Sequence, residues 1–120
     1  MRENMDSQEV SVELVGGPTT IIEIGGLCFV TDPTFDLPRT YDVGGRSLTK
    51  NRAPSLNPES IGPVEAVLLS HDQHVDNLDV KGREWMTGVQ TVFSRTEAAG
   101  RIPGVMALSN WMFCRVSQTA

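Results

Sequence analysis

The chain has 120 residues and a net charge of −5, with 39% hydrophobic and 21% charged residues. A chain of this length forms one domain with a single modest core. The acidic balance argues against nucleic acid or an anionic membrane as a partner, because both recruit clustered lysine and arginine. No apolar run is long enough to span a bilayer, and the polar N-terminus is unlike a signal peptide. The two cysteines form neither a disulfide framework nor a C-x-x-C site, so we expect a cytoplasmic location.

The first part of the chain predicts a β-meander. Residues 1–9 are polar and are predicted to be a disordered lead-in. Beyond them, alternating and β-branched apolar runs are separated by Gly-Gly-Pro and Gly-Gly turn signals. The three strands are predicted at 10–15, 19–24 and 27–31.

The second part of the chain predicts strand–helix repeats. It begins with a proline-rich segment at 32–63, and an irregular segment of that length is usually functional or mobile. The run VEAVLLS at 64–70 is nearly all apolar, as a strand buried on both faces would be. The whole order predicts an α/β fold, a mixed layer with its domain at 10–110 and a tail of uncertain origin at 111–120. The later elements are predicted as strands at 90–94 and 105–108 and helices at 78–86 and 96–101.

Both histidines of the chain lie in one short stretch, LLSHDQHVDNLD, directly after the predicted buried strand. Imidazole nitrogens beside aspartate oxygens suit a divalent ion, most simply Zn²⁺, with Mn²⁺ or Fe²⁺ as alternatives. No lysine or arginine occurs between Ala53 and Val80, so a cation would relieve the repulsion among the acidic groups there. The alternative is a solvated acidic loop, which is the commoner case. A Ser70–His71 dyad is not expected, because adjacent residues on a strand point to opposite faces.

This stretch and the opening ELVGGPTTIIEIGGLCFVTDPTFD resemble the metallo-β-lactamase-fold family, in particular its lactonase-like branch of metal-dependent hydrolases. The family pattern is H-x-H-x-D-H at the end of a buried strand. The resemblance covers most of 10–110, and it implies the N-terminal half of an αββα sandwich. In that half, a β-meander is followed by strand–helix repeats.

The resemblance also implies roles for particular side chains. His71, His74 and Asp76 would be metal ligands, and Asp76 would also serve catalysis by orienting the metal-bound water. A register without a gap would instead put Asp72 in the place of the first histidine. Four further side chains are candidates for hydrogen bonds that support the ligands, although Asp32 is equally explained as the start of a turn at Pro33. The four are Asp32, Asp72, Asn77 and Asp79.

Two functions follow as expectations. The first is a metal-dependent hydrolase whose activated water attacks an ester, lactone or phosphodiester of a small-molecule substrate. We expect it to be impaired in this short form, because the family's later ligands have no counterpart here. The second is a catalytically inert fragment or interaction module that keeps half of the fold. Half of a sandwich would expose the apolar face of its sheet, so we also expect either a homodimer that covers this face or a poorly soluble, partly ordered monomer.

Overall fold

The computed structural model describes residues 9–117, so most of the predicted lead-in lies outside the described residues. The predicted limits of the domain at 10–110 and of the tail stay predictions. The elements in chain order are β1 (Val10–Gly16), β2 (Thr19–Ile24), β3 (Leu27–Thr31), β4 (Arg39–Val43), β5 (Arg46–Lys50), a 3₁₀ turn (Pro58–Ser60), β6 (Ala66–Leu68), α1 (Val80–Met86), β7 (Val92–Ser94), α2 (Thr96–Arg101) and β8 (Val105–Ala107).

One six-stranded sheet organises the fold, in the order β1-β2-β3-β6-β7-β8. The first three strands are antiparallel, and β6, β7 and β8 continue from β3 as parallel strands. A mixed α/β domain with a large sheet and few helices is therefore confirmed. Among the described residues, none of the helices has the length and apolar character needed to cross a membrane.

The segment 32–63 is not irregular throughout, as the sequence analysis expected. Strands β4 and β5 form a separate two-stranded hairpin within it. Its turn is Gly44-Gly45, with positive φ angles of 65° and 84°, which is the conformation that a two-residue hairpin requires. Gly44-Gly45 is the same turn signal as Gly25-Gly26 in the meander. The sequence analysis did not read it as a hairpin because prolines surround it.

The core lies on one face of the large sheet. Inward-facing residues of β1, β2 and β3 pack around Phe35, and those of β6 and β7 pack around Leu78 and Met86. Trp85 of α1 contacts both groups, and its ring meets the Phe35 ring edge to face at 5.2 Å between centroids. Helix α1 therefore covers this face and joins the two halves of the core.

Gly82 sets how closely α1 approaches the chain after β3. A Cβ atom at this position would lie 1.9 Å from the carbonyl oxygen of Pro33 and 3.0 Å from Oδ1 of Asp79. Asp79 is the N-cap of α1, and its side chain accepts a hydrogen bond from the Gly82 N–H at 2.8 Å. The helix begins two residues later than predicted because Asp79 caps it.

Candidate functional site

The two histidines lie side by side at the end of β6 and belong to a continuous hydrogen-bonded chain. Asp32 Oδ2 accepts from the Ser70 hydroxyl at 2.8 Å, and Ser70 Oγ lies 2.8 Å from His71 Nδ1. His71 Nε2 lies 3.2 Å from His74 Nδ1, with the two rings nearly perpendicular. We call His71 and His74 the histidine pair. Asp32, directly after β3, and the loop after β6 therefore together present a carboxylate, a hydroxyl and two imidazoles in one row.

Asp32 is held in an unusual conformation at the start of this row. Its φ is +32°, in a region that non-glycine residues rarely occupy. The surrounding contacts fix it there: its N–H donates to the Leu68 carbonyl, its carbonyl accepts from Thr19 Oγ1, and its Oδ1 accepts from the Ser70 N–H. Strain that the neighbourhood maintains is a common property of functional positions. The sequence analysis offered two explanations for Asp32, a supporting hydrogen bond and the start of a turn. The structure shows hydrogen bonds from Asp32 to Ser70 in the histidine loop.

The expectation that Ser70 and His71 point apart is wrong. Strand alternation applies only while the chain is extended, and β6 ends at Leu68. Ser70 and His71 lie beyond that end, so the loop can turn both side chains toward each other. The sequence analysis considered Ser70 and rejected it, although its position directly before His71 was the available signal.

Asp72 faces away from the histidine pair. Its carboxylate is buried and accepts two hydrogen bonds from the Arg101 guanidinium, at 2.5 and 2.9 Å. These bonds lower the pKa of Asp72 below its ordinary value, although burial opposes them. Arg83 also donates to the Asp72 carbonyl. The structure thus gives Asp72 the role of joining the histidine loop to α2.

Asn77 and Asp79 hold the backbone near the site rather than the imidazoles themselves. The Asn77 amide donates to the carbonyl of His71, which fixes the curvature of the loop. Asp79 is 2% exposed and accepts from the N–H groups of Phe35 and Asp36, at 3.0 and 2.8 Å, besides capping α1. Of the four predicted supporting side chains, Asp32 is hydrogen-bonded to a side chain of the row, and Asn77 is hydrogen-bonded to its backbone.

A second polar cluster anchors the hairpin and was not found from the sequence. The Tyr41 hydroxyl donates to Asp36 at 2.5 Å, and Lys50 Nζ lies 3.3 Å from Asp79. Burial raises the pKa of Tyr41 far above its ordinary value, and the hydrogen bond to Asp36 raises it further. Burial alone would raise the pKa of Asp36, but hydrogen bonds from Tyr41 and the Lys81 N–H leave it lowered.

The structure does not assemble the predicted set of three metal ligands. Within residues 9–117, no group of three or more His, Cys, Asp or Glu side chains is placed to hold a metal ion. Asp76 is exposed and lines a separate cleft of about 610 Å³ with Asp79 and the hairpin residues. Binding of a divalent ion at His71, His74 and Asp76 stays a prediction. Of these three expected ligands, the two histidines lie together, whereas Asp76 lines the separate cleft.

A smaller cleft lies next to the histidine loop. Its volume is about 370 Å³, and Asp32 and Ser70 form part of its wall. Ser94 lies in the same wall, and its buried hydroxyl has no hydrogen-bond partner among the described residues. This cleft opens where the parallel strands β6 and β7 end. In α/β sheets, ligands bind at that end of the strands.

Comparison with solved structures finds structural relatives of this chain. No family model matches the chain, and no curated protein matches it. The fold is similar to the crystal structure of the isothiocyanate hydrolase from Delia radicum gut bacteria, with a TM-score of 0.68 and 21% sequence identity. The match covers 82% of this chain and 41% of that chain. Likeness at this level of identity shows the fold alone, and the chain spans less than half of that structure.

These findings correct the family assignment made from the sequence. The predicted membership in the metallo-β-lactamase-fold family is withdrawn, because no family model matches and the solved structure it resembles is known as an isothiocyanate hydrolase. The metal-dependent hydrolase function carried over from that family is withdrawn with it. The absence of a three-ligand group in the described part of the chain removes its structural support.

Proposed function

We propose that this chain carries the acid–base group of a hydrolase, with His74 as the base that takes a proton from water. The observation that carries the proposal is the hydrogen-bonded row from Asp32 through Ser70 and His71 to His74. A row of this kind leaves one end free to accept a proton while the other end is fixed by a carboxylate. The same arrangement in reverse delivers a proton to a leaving group.

The donor and acceptor of each hydrogen bond in the row follow from Asp32, its first member. An ionised carboxylate can only accept, so the Ser70 hydroxyl donates its single proton to Asp32. Ser70 Oγ must then accept from His71 Nδ1, which makes Nε2 of the neutral His71 an acceptor. His74 Nδ1 therefore donates to His71, and the unprotonated Nε2 of His74 is left free. His74 is exposed, so this nitrogen can meet a water molecule.

The position of the row suits a small substrate. The cleft of about 370 Å³ beside it has the size of a small-molecule site, and it is mostly apolar in character through Leu68, Phe93 and Leu108. A compact apolar molecule with one electrophilic carbon and a polar heteroatom fits these features.

The structural relative supports the choice of a hydrolase over other reaction classes. That protein is named as an isothiocyanate hydrolase, and isothiocyanates carry a strongly electrophilic carbon between nitrogen and sulfur. Because a shared fold does not determine function, the row of side chains carries the argument and the relative supports it. We also propose that the described sheet is one αβ half of a larger sandwich, since the described helices cover only one of its faces.

A hydrolysis assay with matched variants tests the proposal. The parent chain and the His74→Ala and Gln73→Ala variants are incubated with an aryl isothiocyanate and with an activated aryl ester. Loss of a general base lowers the rate by about 10²–10⁴-fold, so we expect that loss for His74→Ala. Gln73 is an exposed neighbour in the same loop, and its variant should keep the parent rate.

A Ser70→Ala variant tests the row itself. Removing the hydroxyl disconnects Asp32 from His71, so the rate should fall while the substrate KM stays unchanged. The proposal is wrong if the parent chain does not exceed the buffer rate with either substrate, or if His74→Ala hydrolyses both as fast as the parent.

A further inference from the structure

The loop that carries the histidine pair is held to the helices by a single residue. Among residues 71–76 only Asp72 is buried, whereas His71 is half-buried and His74 is exposed. The Asp72 carboxylate accepts from Nη2 of Arg101 at 2.5 Å and from its Nε at 2.9 Å. Within the described part of the chain, every hydrogen bond that joins residues 71–77 to either helix ends on Asp72. The position of the loop against α2 therefore depends on the pair of Asp72 and Arg101.

The backbone carbonyls of the two histidines are held within the loop itself. The His71 carbonyl accepts from the side-chain amide of Asn77. The His74 carbonyl accepts from the N–H groups of Asn77 and Leu78, at 3.2 and 3.1 Å. These bonds fix the shape of the loop but not its position against the helices. The loop therefore behaves as one unit, and the contacts of its buried residue also place both imidazoles.

The contact within the histidine pair tolerates little displacement. Nε2 of His71 and Nδ1 of His74 lie 3.2 Å apart, at the long end of hydrogen-bond distances. A further separation of about 0.4 Å would remove the bond, because polar atoms about 3.6 Å apart are no longer hydrogen-bonded. Asp72 directly follows His71 in the chain, so a rotation of the backbone at Asp72 is enough to displace the His71 ring.

We propose that Arg101 is a positioning residue for the histidine pair, acting through the two hydrogen bonds that it donates to Asp72. A buried carboxylate that loses its cationic partner is strongly unfavourable, so without Arg101 the Asp72 side chain turns toward water. That rotation carries His71 away from His74. Neither Asp72 nor Arg101 lines the cleft of about 370 Å³, so substrate binding itself is unchanged. The kinetic consequence rests on the proposed function of the row, whereas the effect on the two imidazoles does not.

The kinetic test compares Arg101→Gln, Arg101→Lys and the control Arg46→Gln with the parent, on the aryl isothiocyanate and the activated aryl ester. A misplacement of about 1 Å can lower a rate by about 10²-fold, so we expect Arg101→Gln to lower kcat by about 10–100-fold with KM unchanged. Arg101→Lys keeps a cation beside Asp72 but lacks the planar fork of donors, so it should recover only part of the parent kcat. Arg46 is exposed in the hairpin and lies outside this cleft, so its variant should keep the parent kcat.

Nuclear magnetic resonance of the histidine ring nitrogens tests the placement without any substrate. Spectra are recorded at about pH 8, where histidine side chains in water are neutral. The hydrogen bond of one ring nitrogen determines which tautomer a neutral imidazole adopts. We therefore expect His74 to carry its proton on Nδ1 in the parent and in Arg46→Gln. In Arg101→Gln we expect a mixture of both tautomers, because His74 no longer donates to His71.

Each outcome separates this proposal from the proposed function. An Arg101→Gln variant that keeps the parent tautomer of His74, or that keeps the kcat of an active parent, contradicts the role given to Arg101. Full recovery of kcat by Arg101→Lys contradicts it too, because charge alone would then be sufficient. A parent without hydrolysis whose His74 tautomer is lost in Arg101→Gln would reject the proposed function and leave the role of Arg101 standing. Far-UV circular dichroism verifies the fold of each variant, and if Arg101→Gln does not fold, Arg101→Lys serves for both measurements, with a partial loss of kcat and mixed tautomers expected.

Discussion

Replacing Gly82 with alanine should strongly destabilise the fold, although alanine is the better helix former. In an open helix the change stabilises by about 0.5–1 kcal/mol. Here the added methyl group would lie 1.9 Å from the Pro33 carbonyl oxygen and 2.6 Å from its carbon. These are backbone atoms that cannot rotate away, so α1 must move and weaken the bonds that Asp79 makes to the chain after β3. Overpacking of this kind costs about 1–3 kcal/mol and sometimes more, and loss of the cap adds about 1 kcal/mol. We expect a net loss of about 3 kcal/mol.

Urea unfolding followed by tryptophan fluorescence measures this change, since Trp85 lies on the affected helix. Gly100→Ala in α2 is the matched control, because a Cβ there meets no atom within 4 Å. We expect the control to be as stable as the parent or more stable, by up to about 1 kcal/mol. If Gly82→Ala unfolds at the same urea concentration as the parent, the helix does not approach Pro33 as closely as described, and the reasoning fails.

Three further outcomes are expected. Arg101 lowers the folded-state pKa of Asp72, so this pair stabilises the fold above about pH 4. The contribution is lost as the pH falls through the lowered pKa. Arg101→Gln should therefore weaken the dependence of the unfolding free energy on acid pH, measured by urea titration. Tyr41→Phe removes the hydrogen bond to Asp36 and should cost about 1.5–3 kcal/mol of unfolding free energy, and a change below about 0.5 kcal/mol, the low end of ordinary hydrogen bonds, would contradict the role given to the hydroxyl. Calorimetry with Zn²⁺ should show at most weak binding that the His71→Ala, His74→Ala double variant abolishes, whereas tight binding would mean that a third ligand joins the histidine pair.

Local patterns were sufficient to predict the meander and the strand–helix repeats. Glycine pairs and alternating apolar residues act over a few neighbours, so β1 to β3 and α2 lie where the sequence predicts them. The hairpin β4–β5 was missed because its outward residues are polar and prolines flank it. The hairpin is stabilised instead by contacts of Tyr41 with Asp36 and of Lys50 with Asp79. Residue spacing in the sequence does not predict these pairs.

The candidate site was predicted by location but not by its hydrogen bonds. In the stretch after β6 that the sequence analysis singled out, the two histidines are in contact. The roles of Asp72 and Asp76 depend on the direction in which each loop side chain turns, and that direction is set by Arg101 and by the curvature of the loop. Such tertiary contacts cannot be inferred from residue spacing. The strict alternation assumed for Ser70 and His71 failed because the strand had already ended.

The contacts of Asp79 also determine the order in which the chain can fold. Its carboxylate bonds to N–H groups 43 and 44 residues earlier, so these bonds can form only after a long loop has closed. The meander needs only two-residue turns and can form long before that. We infer that the contact of the hairpin with Asp79, the start of α1 and the chain after β3 become ordered together in one late step. Ribosomal synthesis would impose the same sequence, because the first three strands emerge well before Asp79 is available to bind the Phe35 and Asp36 N–H groups.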